Sequence, residues 1–521
     1  MMKILLFFVL LACIACSQQE KTGTSTNLNV VDTPQNDFSR FRPIFHFSPP
    51  KNWVNDPNGL VYHQGTYHLF YQYNPYSSKW GHMTWAHATS KDFINWENLP
   101  IAIPENEQDS MMIFSGSVVV DTENSSGFGT KENPPLVAIY TAFNHSKDTL
   151  KSGQSQHLAY SNDGGTTWTK YEKNPIIDLK KKDFRDPNVF WHIESKQWVM
   201  AVVLPLEFKC LFYASKNLKT WNLLSEFAGA GDRRLIWECP ALVELPVDGN
   251  AKQKKWALLI SAAHPDSTSK YVGMQYFVGD FDGKIFKNLN KPSTTLWLEY
   301  GKDFYAAIPW NQNPDERKII YGWMNNWAYA DTIPTSPWRG QMSVPRTIGL
   351  KTYAEGIRLT QLPVKELEKL RKKAYHFDNL LISELGQVLK QIQSHTLEIE
   401  IEFEIQEAKE FGIKVAQGKA EETIVGYEVD SKQVYIDRRT SGMVNFKNNF
   451  ASKDNAPLEA EDGKIKLKIL LDNCSVEVFA NDGRVAITSL IFPSKESKGL
   501  SLFAKNGKVK VVDLMIWELG K

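Results

Sequence analysis

Between Phe45 and about Pro345 the chain is built from short apolar runs rich in Val, Ile, Tyr, Phe and Trp. Gly, Pro, Asn and Asp interrupt them about every ten residues. Thr66–Tyr73, Ile113–Val120 and Trp198–Val203 are examples. A 3.6-residue period is nearly absent, so the region reads as all-β. Three polar turns recur behind such runs and each closes on a tryptophan: Ser90 to Trp96, Ser161 to Trp168 and Ser215 to Trp221. A turn repeating at this spacing is what successive blades of a β-propeller would show. Val364 to Ala374, with Leu367 and Leu370 set among Lys, Glu and Arg, is the one stretch with a helical pattern. Strands then return. Leu397 to Phe403 and Ile465 to Leu470 alternate apolar and charged residues, which marks strands with one buried and one wet face, as in an antiparallel sandwich. The expected organisation is a propeller over 38–350, a linker with a short helix over 351–375, and a β-sandwich over 376–521.

The N-terminus follows other rules. Lys3 precedes an unbroken apolar run, Ile4 to Ala15, that ends at Cys16, after which Ser, Thr, Asn and Gln dominate to about Asp37. The run is too short to cross a bilayer, which needs about 20 residues, and suits the core of a signal peptide. A short apolar run, a small residue, a cysteine and a polar tether resemble a bacterial lipoprotein signal. That implies a signal peptide over 1–16, a tether over 17–37, and a protein lipid-anchored to membrane in the cell envelope. Cys16 is the expected lipid carrier and Cys13 the competing one. No later run is long and apolar enough for a membrane helix. Cys210, Cys239 and Cys474 are left. They match no metal spacing and read as buried free thiols, with a single Cys210–Cys239 bridge the alternative.

Composition narrows the partners. Lys and Arg number 60 against 59 Asp and Glu, a net charge of +1 over 521 residues. That balance offers no cationic excess for nucleic acid. Hydrophobic residues at 42% exclude global disorder. The 16 tryptophans suit either a large β-rich core or faces that stack on sugar rings.

Three carboxylates stand in distinctive surroundings. Asp56 lies in Trp53-Val54-Asn55-Asp56-Pro57-Asn58-Gly59, Asp186 in Phe184-Arg185-Asp186-Pro187-Asn188, and Glu238 in Trp237-Glu238-Cys239-Pro240. Alone, the first is an ordinary turn sequence and the second a local ion pair. The third is a carboxyl entering an apolar strand, where its charged form is poorly solvated, as a general acid requires. Together, with Phe114-Ser115-Gly116-Ser117, Asp303-Phe304-Tyr305-Ala306, Gly322-Trp323-Met324-Asn325-Asn326-Trp327 and Trp338-Arg339-Gly340-Gln341, they resemble glycoside hydrolase family 32. This is the family of invertases, inulinases and levanases.

The resemblance implies a five-bladed β-propeller followed by a C-terminal β-sandwich, and hydrolysis of β-fructofuranosidic bonds of a fructan such as levan or inulin, or of sucrose. It implies a retaining mechanism, with Asp56 as nucleophile, Glu238 as acid and base, and Asp186 stabilising the transition state. Carboxyl groups about 5–5.5 Å apart go with that stereochemistry. Arg185 is expected to keep Asp186 ionised and to bind a hydroxyl. Asn55, Gln72, Trp80, Phe114, Ser115 and Trp323 are the remaining expected contacts to the terminal fructosyl unit.

Other readings are weaker. The turn at Asp163 resembles the Asp-box of sialidases, but no set of arginines for a substrate carboxylate accompanies it. A non-catalytic or transfructosylating fructan-binding relative is the alternative of a different class; loss of a carboxylate would mark the non-catalytic form, and all three are present. No G-x-S-x-G elbow, H-E-x-x-H pair or phosphate-binding glycine loop occurs, so neither metal nor nucleotide cofactor is implied. Linkage preference, exo against endo cleavage and oligomeric state stay open at this stage.

Overall fold

A computed structural model describes residues 37–148, 152–266 and 271–521. The signal segment, the tether as far as residue 36, and Cys16 lie outside the described residues.

Five four-stranded antiparallel units follow one another along the first part of the chain. Their innermost strands are Asn52–His63, Met111–Val120, Arg185–His192, Glu238–Val247 and Tyr305–Pro309. Each strand touches the next, and the fifth touches the first, so the blades close into a ring. We number the blades 1 to 5 in that order. Asn311, just past the last inner strand, ties the ring shut: its side-chain amide donates to the carbonyls of Val118 and Val189 at 2.9 and 3.1 Å. Its backbone pairs with Leu60 and Tyr62 of blade 1.

The repeated tryptophan turns join the third strand to the outer edge in blades 1, 2 and 3. Each indole N–H closes its own turn, Trp96 on the Phe93 carbonyl, Trp168 on Gly165 and Trp221 on Leu218, at 2.9–3.0 Å. Asp92, Asp163 and Asn217 cap backbone N–H groups in the same turns. These residues serve the fold.

Blade 5 takes its outer strands, Arg346–Tyr353 and Gly356–Pro363, from the segment expected to begin the linker. The helical reading of Val364 to Ala374 is corrected. The chain makes a short 3₁₀ turn, Lys365–Leu370, and then a strand, Arg371–Ile382. Leu367 and Leu370 are three residues apart, which suits a three-residue turn as well as an α-helix, and both point into the core.

Two six-stranded sheets make the sandwich. Leu397–Ile405 and Lys464–Asp472 lie side by side in one of them, with apolar and charged residues paired in register. Their apolar faces meet those of the second sheet in a shared core that includes Ile399, Ile401, Phe411, Ile413 and Val425. Cys210, Cys239 and Cys474 are free and buried.

Candidate active site

All five inner strands are irregular at the same end. The pairing with the second strand slips between Val54 and Pro57, Ile113 and Gly116, Arg185 and Asn188, Glu238 and Ala241, and Tyr305 and Ile308. A bulge re-aims side chains that a regular strand would send to alternate faces. Proline suits such positions because it has no N–H to give the ladder, and it follows Asp56, Asp186 and Cys239. Asp186, Cys239 and Ala306 have φ of 66, 47 and 56°. The motif residues therefore come together because five bulges turn them toward one end of the ring.

A cavity of about 310 Å³ opens there, lined by Asp56, Asp186 and Glu238 together with Asn55, Gln72, Trp80, Phe114, Ser115 and Arg185. Trp323 is the exception among the expected binding residues. It is fully buried and packs against Trp53 and Trp327, and Trp327 forms the wall in its place. Its ring, one residue from the end of the strand Lys318–Met324, is carried under the surface, so it supports the lining instead of forming it.

Asp56 accepts hydrogen bonds from Ser115 Oγ at 2.7 Å and Asn55 Nδ2 at 3.0 Å. Asn55 is itself held by the Trp53 indole N–H at 2.7 Å. Burial pushes the Asp56 pKa above its ordinary value, while these two hydrogen bonds act to lower it. Asp186 Oδ2 accepts the Cys239 backbone N–H at 2.9 Å, and the Asp186 N–H donates to Thr141. The Cys239 thiol lies 3.6 Å from Asp56 and 3.7 Å from Asp186, between the two carboxylates.

Glu238 is held from both sides. Arg185 reaches Oε1 through Nε at 3.0 Å and a terminal nitrogen at 2.9 Å, and the Tyr305 hydroxyl donates to Oε2 at 2.6 Å. The expected pull of Arg185 on Asp186 is present, but Arg185 spends its hydrogen bonds elsewhere. Its nearest approach to Asp186 is 4.0 Å, and its direct partners are Glu238, Asp183 and Gln154. Burial pushes Asp186 up to about 7, against the pull of the Arg185 charge and with a further push from Glu238. Glu238 is not enclosed by apolar groups alone, because an arginine and a tyrosine orient it.

Sequence reading missed Gln154, Asp183, Phe143 and Thr141. The first three line the cavity, and Thr141 receives the Asp186 N–H. Gln154 and Gln156 are two residues apart on one strand, and both are buried. Two buried glutamines on the same strand face are costly unless bonded, and that pattern was the available signal.

The arrangement offers a held carboxylate, a carboxyl bonded to a tyrosine and an arginine, and a third buried carboxylate in one pocket. Residues 46–363 match the description "Glycosyl hydrolases family 32 N-terminal domain", and residues 366–518 match "Glycosyl hydrolases family 32 C terminal". A levanase of Bacillus subtilis (strain 168) is 50% identical over 489 residues, covering 92% of this chain and 71% of the relative. An extracellular exo-inulinase of Aspergillus niger is 40% identical over 503 residues, covering 91% of this chain and 93% of the relative. The crystal structure of an exo-inulinase from Aspergillus awamori superposes with a TM-score of 0.86 at 38% identity, over 92% of this chain and 98% of that one.

Proposed function

The chain belongs to glycosyl hydrolase family 32, a fructan-hydrolysing β-fructofuranosidase by that membership and its relatives, and we propose the role of each carboxylate. Asp56 attacks the anomeric carbon of the terminal fructosyl unit. The C–O bond to the leaving sugar breaks, and Glu238 gives that oxygen its proton. Water then attacks the fructosyl ester, Glu238 takes back a proton, and Asp56 leaves as a carboxylate. Asp186 accepts ring hydroxyls while positive charge develops on the ring.

The observation that carries this reading is the convergence of three held carboxylates, Asp56, Asp186 and Glu238, on one pocket. Asp56 accepts from Ser115 and Asn55, donors that favour its charged, attacking form. Glu238 is aimed by Arg185 and Tyr305 instead. Asp56→Asn should abolish turnover of sucrose and fructan with the fold intact by circular dichroism. Glu238→Ala should lose activity on sucrose and fructan, whereas turnover of an activated fructoside with a good leaving group should be restored by azide, giving a β-fructosyl azide. An azide product of inverted configuration would contradict double displacement.

A pocket of about 310 Å³ supports removal of one terminal unit at a time. Digestion of levan and inulin should release fructose alone; a ladder of oligosaccharides would contradict exo cleavage. The protein acts outside the cytoplasm in this reading, anchored through a lipid on Cys16. Fatty-acid labelling should be lost in Cys16→Ser and retained in Cys13→Ser; the reverse pattern would move the anchor to Cys13.

A further inference from the structure

Among the described residues, three tryptophans present large exposed faces: Trp80 at 45%, Trp327 at 37% and Trp191 at 42%. The first two line the catalytic cavity. Trp191 lines a different and larger one, of about 800 Å³. The inner strands of blades 3 and 4 begin at the catalytic cavity with Arg185 and Glu238 and that of blade 5 begins behind Glu238 with Tyr305, while His192, Glu244 and Pro309, farther along the same strands, line the second cavity. A strand of that length puts roughly 20 Å of propeller between the two openings.

The second cavity is built for a ligand with both faces and hydroxyls. Phe190 and Trp256 pack together in its wall at 5.5 Å, and Trp191 stands edge-on against Trp198 at 5.1 Å, which fixes its ring. Trp310, 3% exposed, also lines it. Lys318 also lines it, and burial pushes its ammonium pKa down. Lys254 pairs with Glu244 at 2.8 Å and Asp280 with Lys255 at 2.7 Å, and with Glu194, Lys252 and Lys318 the lining holds three groups of each sign. That leaves little net charge to attract an ion. Aromatic faces and a lining with as many acidic as basic groups suit a neutral polyhydroxylated chain.

We propose that this cavity on the far face of the propeller is a second, non-catalytic saccharide site that holds a fructan chain. It rests on the reading of fructan as the substrate. The catalytic pocket grips only a chain end, whereas a second contact 20 Å away keeps a polymer near the enzyme between turnovers, raising its effective concentration. Sucrose and other short substrates gain nothing from it.

The test uses Trp191→Ala in two backgrounds. In the inactive Asp56→Asn protein, migration through native gels containing levan or inulin is retarded by polymer binding, and Trp191→Ala should remove most of the retardation. In the active protein, Trp191→Ala should raise KM for levan or inulin by roughly threefold to tenfold, the loss of one aromatic stacking contact. Its kcat/KM on sucrose should be unchanged. Lys252→Ala, an exposed position on the same rim, is the second variant should Trp191→Ala melt early, and it should weaken retardation in the same direction. Unchanged retardation and unchanged polymer KM in the folded variants would overturn the site. A parent enzyme inactive on every fructan would instead overturn the substrate reading, and the two failures are distinct.

Discussion

Replacing Ser115 by Ala takes one donor from Asp56 and should move the acid limb of the pH–rate profile upward. The Ser115 hydroxyl donates to Asp56 Oδ2 at 2.7 Å, and Asn55 donates to Oδ1 at 3.0 Å. Both bonds favour the charged carboxylate. Burial works the other way and leaves the Asp56 pKa above its ordinary 3.8. A hydrogen bond to a charged group contributes about 1.5–3 kcal/mol, and one pKa unit corresponds to about 1.4 kcal/mol. Losing the hydroxyl should therefore raise the titration by about one to two units. The sign follows from the chemistry: only ionised Asp56 can attack, so a higher pKa removes activity at a higher pH as the solution is acidified. Asp56, Asp186 and Glu238 influence one another's charge, so the limb belongs to the group of carboxylates and not to Asp56 alone. Initial rates on sucrose, measured well below KM from acid to neutral pH, give the profile of kcat/KM. A Ser115→Ala profile that is scaled down with its acid limb unmoved, or moved to lower pH, would show that the hydroxyl acts on the substrate and not on Asp56.

Three further outcomes are expected. Tyr305→Phe removes a buried hydroxyl that donates to Glu238 at 2.6 Å; kcat on sucrose should fall by roughly tenfold to a hundredfold with little change in KM, and an unchanged kcat would remove Tyr305 from the positioning of the acid. His46 is buried between Asp472 and Glu477 at 2.8 Å each; burial alone would lower its pKa, but the hydrogen bonds to those two carboxylates raise it to about 9. A raised folded-state pKa stabilises fully below the unfolded value of about 6.5 and is lost as pH rises through 9, on the order of 3 kcal/mol in all. Thermal melting should therefore drop across that window and flatten there in His46→Gln; an equal slope in both proteins would refute the assignment. Asn311→Ala should lower the melting temperature by several degrees, because the Val118 and Val189 carbonyls lose a buried donor. Kinetics of the protein that stays folded should be near normal.

The legible parts of the fold were those written locally. Alternation showed which strands have one wet face, and the turns ending at Trp96, Trp168 and Trp221 carried their own Asp or Asn cap and their own indole N–H, so each could be read without its neighbours. The segment after Val364 was misread because Arg371–Ile382 is mostly exposed at the edge of its sheet, where no burial pattern marks a strand. At the site, the carboxylates were legible because each lies in a bulge with a proline one or two residues after it. The partner of Arg185 was not. Neighbours in sequence look like hydrogen-bonded partners, but Arg185 stays 4.0 Å from Asp186 and reaches across to Glu238 of blade 4. Gln154 and Thr141 come from blade 2 and support residues of blade 3. Contacts between blades leave no spacing in the sequence to find them by.

The C-terminal sandwich is bound to the propeller through charges buried where the two meet. Arg346 of blade 5 is fully buried and pairs with Glu299 of the propeller and Glu477 of the sandwich, and its terminal nitrogens also donate to Thr488 and Gln361. Arg438 of the sandwich pairs with Asp303, which also accepts the Leu490 backbone N–H. Removing one side of such a pair leaves a buried charge uncompensated, at a cost of about 3–5 kcal/mol. Arg438→Met, with the sandwich still in place, would leave Asp303 in that state. Asp303 also precedes Tyr305 by two residues, and Tyr305 is the group that holds Glu238. The segment that orients the acid is thus pinned by the sandwich at one end and by the bulge of blade 5 at the other. The sandwich contributes no residue to the lining of the catalytic cavity, yet the position of Tyr305 depends on it, which makes it part of the propeller's structure and not a detachable module.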